Sequence, residues 1–225
     1  MPKHLRPTAP IAADAVLVGD PGRALLLAQE LLENPKMSNH ARGLWGYTGR
    51  TANGGELTIQ ATGMGGPSAA LVLADLAKLG VRRAVRVGSC LATAPGSAPG
   101  DLLLIEEAIA KGGSATSFGV STGAAVRPDP DLTERLRAAL GETATPTAVA
   151  SFDSTPSGEP LGEGIGAADM QTVAVLARAA ALGVEAAAVL IAVETSGEGL
   201  LGEEERIEAE RRAGTAAAQA LSTSS

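Results

Sequence analysis

Short apolar runs that end in glycine-bearing turns, alternating with longer helical stretches, constrain this chain more than any other feature. Ala15-Val16-Leu17-Val18 is such a run and stops at Gly19-Asp20-Pro21-Gly22. A helix is predicted over residues 21–32, with proline at the early position that helix starts favour. Residues 44–50 and 56–62 flank Asn53-Gly54-Gly55 and read as a hairpin. Gly63-Met64-Gly65-Gly66-Pro67-Ser68 leads into a second helix through Leu79. Further strands are predicted over residues 84–87, 101–109, 147–151 and 187–193, and further helices over 132–140, 168–182 and 203–221. Residues 112–123, rich in Gly, Ser and Thr, read as a mobile loop over a surface. With no internal repeat and no linker, the expectation is one α/β domain over residues 1–225.

Composition narrows the function classes. With 45% apolar and 19% charged residues in 225, the chain is expected to fold around a sizeable core. Its 18 Lys+Arg against 25 Asp+Glu give a net charge of −7, which argues against general nucleic-acid binding but leaves room for a local basic pocket. A single cysteine makes neither an internal disulfide nor a Cys-based zinc site, and two histidines do not make a His-rich metal centre. No metal or organic cofactor is expected. The first residues, Met1-Pro2-Lys3-His4-Leu5-Arg6-Pro7, lack the apolar core of a signal peptide. No run approaches the roughly 18 apolar residues of a membrane span, so a cytoplasmic protein is expected. An aromatic content of 2% is low for a protein that binds a flat ligand.

Three predicted strand ends carry polar residues suited to an anion. Gly19-Asp20-Pro21-Gly22-Arg23 joins a strand to a helix start, where backbone N–H groups, the positive helix end and a guanidinium favour negative charge. The glycines of residues 63–66 allow close backbone approach, although the segment fits neither G-x-G-x-x-G nor a P-loop. In Arg86-Val87-Gly88-Ser89-Cys90, Arg86 lies between Val85 and Val87, a costly burial unless an anion pairs with it. Ligands of open α/β folds sit at the carboxyl ends of strands, where all three segments fall. Cys90 reads as a small core residue rather than a nucleophile, with no histidine near it in sequence.

Together with Arg42-Gly43-Leu44-Trp45-Gly46-Tyr47-Thr48-Gly49, these segments resemble the nucleoside phosphorylase superfamily, in particular the bacterial hexameric-type purine nucleoside phosphorylases. The resemblance covers about the first hundred residues. It implies a central mixed β-sheet flanked by helices, and cleavage of a purine nucleoside by inorganic phosphate to free base and ribose 1-phosphate. It also implies a phosphate site at Gly19, Arg23, Arg86 and Ser89, completed by Arg42 of a neighbouring subunit, with His4 reaching the neighbour's sugar. Nucleoside contacts are implied at Met64, Asp169, Met170 and Gln171. A homo-oligomer built from dimers, a hexamer in this family type, follows from that sharing.

The departures cluster on the nucleoside side. The family's Glu-Met-Glu sugar clamp is Asp169-Met170-Gln171 here, so the last residue loses its negative charge. The family's aspartate acid corresponds to Thr195, while Glu194 is the adjacent carboxylate that strict alternation points the other way. Restoring Gln171→Glu with Thr195→Asp is expected to raise phosphorolysis. Phe152 is open to two readings, base platform or core residue, and residues 156–166 look short and glycine-rich. Arg206 reads as a helix-surface charge. The alternative function is a diverged member that binds phosphate or a phosphorylated sugar without turning it over. Retention of Arg23, Arg42 and Arg86 argues against hydrolysis, because water needs no cationic cradle.

Overall fold

The computed structural model describes residues 2–155, 161–196 and 199–222. In chain order the elements begin with β1 (Asp14–Val18), α1 (Pro21–Leu31), β2 (Glu33–Asn39), β3 (Gly46–Arg50), β4 (Glu56–Ala61), α2 (Gly65–Lys78) and β5 (Arg83–Ala92). They continue with β6 (Leu102–Ala110), β7 (Ala125–Val126), α3 (Pro130–Leu140), β8 (Ala144–Ser151), β9 (Ile165–Asp169), α4 (Thr172–Leu182), β10 (Glu185–Thr195), β11 (Gly199–Leu200) and α5 (Glu203–Ser222).

Alternation along the central strands sorts their side chains to two faces. Ala15 and Leu17 of β1, and Ala186, Ala188 and Leu190 of β10, pack with Val72 and Leu73 of α2 and Val175 and Leu176 of α4. Val16, Val18, Val85, Val87 and Val189 pack on the other face with Leu27 of α1, Leu136 of α3 and Ala213 and Ala217 of α5. Small residues let the layers approach closely. A Cβ on Gly214 of α5 would lie within 2.4 Å of Leu27 of α1.

The strands join in the order β11-β10-β6-β8-β9-β5-β1-β4-β3-β2, with parallel and antiparallel neighbours mixed, and β10 also pairs with β5. The result is the mixed sheet with flanking helices expected from the resemblance. The pairing of β5 positions the site. Along one edge it runs parallel to β10. Along the other, residues 83–87 pair parallel with β1, whereas Leu91 and Ala92 pair antiparallel with β9. Residues 88–90 lie where β1 and β9 part, and a cleft opens there.

Local sequence explains most boundaries. α1 and α3 both start at Asp-Pro: Asp20 and Asp129 cap their helices by accepting from the N–H of Arg23 and Leu132, each at 2.9 Å, with proline in the first turn. α4 ends at Gly183 in the left-handed region.

The structure corrects one expectation and adds detail at two other places. The predicted helix over 168–182 begins later, because residues 165–169 form β9. Alanine's helix preference yields there to pairing with β8 on one side and β5 on the other. Residues 33–39, for which the sequence predicts no element, form the edge strand β2, whose Pro35 and irregular register suit only an edge. Within residues 112–123, a 3₁₀ turn spans Gly113–Phe118 and Asp153 accepts from the Ser114 backbone N–H at 2.9 Å. Of the short stretch 156–166, residues 156–160 lie outside the described residues.

Candidate active site

A cleft of about 670 Å³ opens at the parting of β1 and β9. Gly19, Asp20, Pro21 and Arg23 come from the start of α1, and Gly63, Met64 and Gly65 from the start of α2. Arg86, Gly88, Ser89, Cys90 and Leu91 come from β5, Asp169, Met170 and Gln171 from the β9–α4 junction, and Val193 and Glu194 from the end of β10. Its walls combine the two guanidinium groups with apolar Leu91, Ala168, Met170 and Val193, and Met64 stands 89% exposed at the rim.

Each guanidinium is buried and matched with a carboxylate. Arg86 Nη2 donates to Asp169 at 2.9 Å, Nη1 to Gln171 Oε1 at 2.7 Å and Nε to Thr172 Oγ1 at 3.2 Å. Gly88 leaves room for this geometry, since a Cβ there would lie 2.5 Å from Arg86 Nη2. Arg23 Nη2 donates to Ser89 Oγ at 2.7 Å and Nη1 to the Val87 carbonyl at 3.2 Å. Its Nε lies 3.0 Å from Glu210 Oε1 of α5, an ion pair whose angle falls short of a hydrogen bond. Burial lowers the Arg23 pKa below the ordinary arginine value; Glu210 opposes that and the neighbouring Arg86 charge adds to it. Two like charges held side by side favour an anion between them. Each terminal nitrogen carries two N–H groups, and one of each pair is uncommitted among the described residues.

The carboxylates differ in how they are used. Asp169 is fully engaged: it accepts from Arg86, from Ser151 Oγ and from both the N–H and hydroxyl of Thr172. Asp20 caps α1. Glu194 makes no side-chain hydrogen bond or ion pair among the described residues. Gln171 is also consumed by the protein. Its Nε2 donates to the carbonyls of Gly63 and Gly65, and its Oε1 accepts from Arg86 and Thr62.

A family model described as the phosphorylase superfamily matches residues 14–224. This chain belongs to that superfamily. Curated relatives include DeoD-type purine nucleoside phosphorylases from Oceanobacillus iheyensis, 43% identical over 36% of this chain and 34% of the relative, and from Limosilactobacillus reuteri, 37% identical over 54% and 49%. Another, from Chromobacterium violaceum, is 41% identical over 47% and 43%. The chain thus spans about half or less of the length of these relatives. A crystal structure of uridine phosphorylase from Vibrio fischeri superposes with a TM-score of 0.82 at 24% identity, covering 94% of this chain and 91% of that one, a likeness in fold.

In this superfamily member the cleft brings together nine of the positions singled out from sequence: Gly19, Arg23, Met64, Arg86, Ser89, Asp169, Met170, Gln171 and Glu194. His4, Arg42 and Thr195 are not among its lining residues. His4 belongs to an N-terminal strap whose N–H groups at Lys3, His4 and Leu5 donate to buried Asp75. Arg42 is exposed on a tight turn with φ +61°. Buried Asn39 ties the two together, accepting from the Arg6 N–H at 2.8 Å and donating to the carbonyls of Ala41 and Leu44.

Thr195 departs from strict alternation. The β10–β5 register slips between Ala192 and Glu194, leaving Val193 as the extra residue of a bulge. Beyond it the faces exchange: Glu194 lines the cleft, and Thr195 turns toward the loop over residues 92–98, buried with its hydroxyl unpaired among the described residues. Phe152 lies outside the cleft, in a niche beside Phe118, Met170 and Val173. Arg206 is half exposed, 4.0 Å from Glu210 one turn along α5. Glu210, Thr62 and Thr172 hold the arginines and Gln171 in place but carried no sequence signal, because their partners are distant in the chain.

Proposed function

We propose that this chain cleaves a nucleoside with inorganic phosphate, releasing a free base and a pentose 1-phosphate, with purine nucleosides as the favoured class. The observation that carries this reading is the pair of buried guanidinium groups in one cleft, Arg23 on Ser89 and Arg86 on Asp169, beside an apolar wall, at the parting of β1 and β9. Phosphate bound by the uncommitted N–H groups of Arg23 and Arg86, with Gly19 and Ser89 beside it, would lie beneath the sugar. There it serves as nucleophile and offsets the positive charge that develops on the pentose as the glycosidic bond breaks. The sugar would pack against Met64 and Met170, and the base along Leu91 and Val193. Arg42 and His4 would complete a neighbouring subunit's site in a homo-oligomer. No metal or organic cofactor enters the scheme.

Product analysis with inosine, guanosine, adenosine and uridine, each with and without phosphate, tests this reading. Phosphate-dependent appearance of base and pentose 1-phosphate supports it, and the preferred substrate gives the base class. The engagement of Gln171 by four protein groups favours a second reading, a diverged member that binds phosphate or a phosphorylated sugar without turnover. Phosphate binding by calorimetry with no base release from any nucleoside would select it.

A further inference from the structure

We infer that Glu194 supplies the proton to the departing base, in place of Thr195; the inference rests on the phosphorolytic reading above. A purine leaving as its anion is a poor leaving group, so the step calls for an acid near the ring. Among the described residues, three that carry a carboxyl group line the cleft: Asp20, Asp169 and Glu194. Asp20 is committed to the start of α1, and Asp169 to Arg86, Ser151 and Thr172. Glu194 alone has no partner among the described residues. The bulge at Val193 aims it into the cleft beside Leu91, and its backbone is held on both sides, by Leu91 of β5 and Leu200 of β11. The same bulge turns the Thr195 hydroxyl away toward residues 92–98.

The step balances as follows. The C1′–N bond breaks with its electron pair going to the base. The Glu194 carboxyl proton goes to a second ring nitrogen of the purine, and a phosphate oxygen forms the new bond to C1′. Hydrogenphosphate loses its own proton on becoming the ester, and that proton returns the Glu194 carboxylate to its acid form through solvent. A purine offers a ring nitrogen remote from the glycosidic bond for this transfer.

Inosine and N7-methylinosine separate this role from any structural one, because the methylated base already carries positive charge and departs without a proton. Glu194→Gln is expected to lower kcat/KM for inosine by about 10²–10³-fold and to leave N7-methylinosine within about threefold of the parent protein. Thr195→Val is expected to leave both substrates within about threefold. Equal loss on both substrates in Glu194→Gln, no loss on inosine, or an inosine-selective loss in Thr195→Val would each overturn the assignment. Calorimetric phosphate binding, expected to be unchanged in both variants, checks that each has folded. A parent protein that cleaves neither substrate with phosphate present would instead remove the phosphorolytic reading, and the role of Glu194 with it.

Discussion

A carboxylate at position 171 would face two backbone carbonyls. Gln171 Nε2 donates to Gly63 and Gly65, a role that no ionised acid can fill. Gln171→Glu is therefore expected to lose about 1–3 kcal/mol in denaturant unfolding and to bring no gain in phosphorolysis, contrary to the expectation from sequence. Thr195→Asp would place a charge where a buried hydroxyl lacks a partner among the described residues and is expected to destabilise further. Cys90 gives a complementary expectation. Burial, with the Asp169 charge adding to it, pushes its thiol far above the ordinary value. Native protein at pH 8 should resist thiol reagents until it is unfolded, which a time course of labelling with and without denaturant will show. Much of the site was legible at this scale, because Arg86 between two valines demanded an anionic partner. The identities of those partners, Asp169 for Arg86 and Glu210 for Arg23, were not legible, since counter-ions are chosen by tertiary neighbourhood and leave no local pattern.

Among the elements, α5 acts on the anion site through Glu210. Removing that carboxylate leaves Arg23 buried beside Arg86 without its counter-charge. Glu210→Gln is expected to lower stability by about 3 kcal/mol, and added phosphate to raise its Tm by more than it raises that of the parent, the ligand standing in for the lost charge. Thermal melts over a phosphate series measure both effects. The N-terminal strap depends on Asp75. Burial alone would raise its carboxyl, but the amides of His4, Lys3 and Leu5 outweigh that and hold it below the ordinary value. A depressed folded-state pKa means a stabilising contribution fully present above about pH 4 and lost as pH falls through the folded value. Asp75→Asn should therefore be less stable than the parent near neutrality, with the gap closing in acid, as unfolding at a series of pH values will reveal. Periodicity and turn chemistry exposed all five helices and the main strands. They failed at β9, where Ala167 and Ala168 are paired on both sides, and at the bulge of β10, where one extra residue reverses what alternation dictates.

For the whole molecule, Arg42 and His4 lie off the cleft of their own chain, yet the segments that carry them are tied to each other through Asn39, which bonds Arg6 and Ala41. If they serve a neighbour, Arg42→Ala and Arg86→Ala proteins should each be inactive alone, while a mixture allowed to exchange subunits should regain part of the activity. Recovery after mixing, followed with light scattering to count subunits, tests that arrangement. Failure to recover, with exchange demonstrated, would confine the site to one chain.

The forked pairing of β5 also carries a consequence for the order in which the molecule is made. Both cleft cations, Arg23 and Arg86, emerge early in synthesis, whereas their counter-charges at 169 and 210, and two of the strands that seat β5, β9 and β10, emerge late. A nascent chain that contains Arg23 but ends before Glu210 lacks that arginine's ion-pair partner. The native counter-charge of Arg23 is thus withheld until the final helix is available, and the cleft can be completed only when the whole chain has been made.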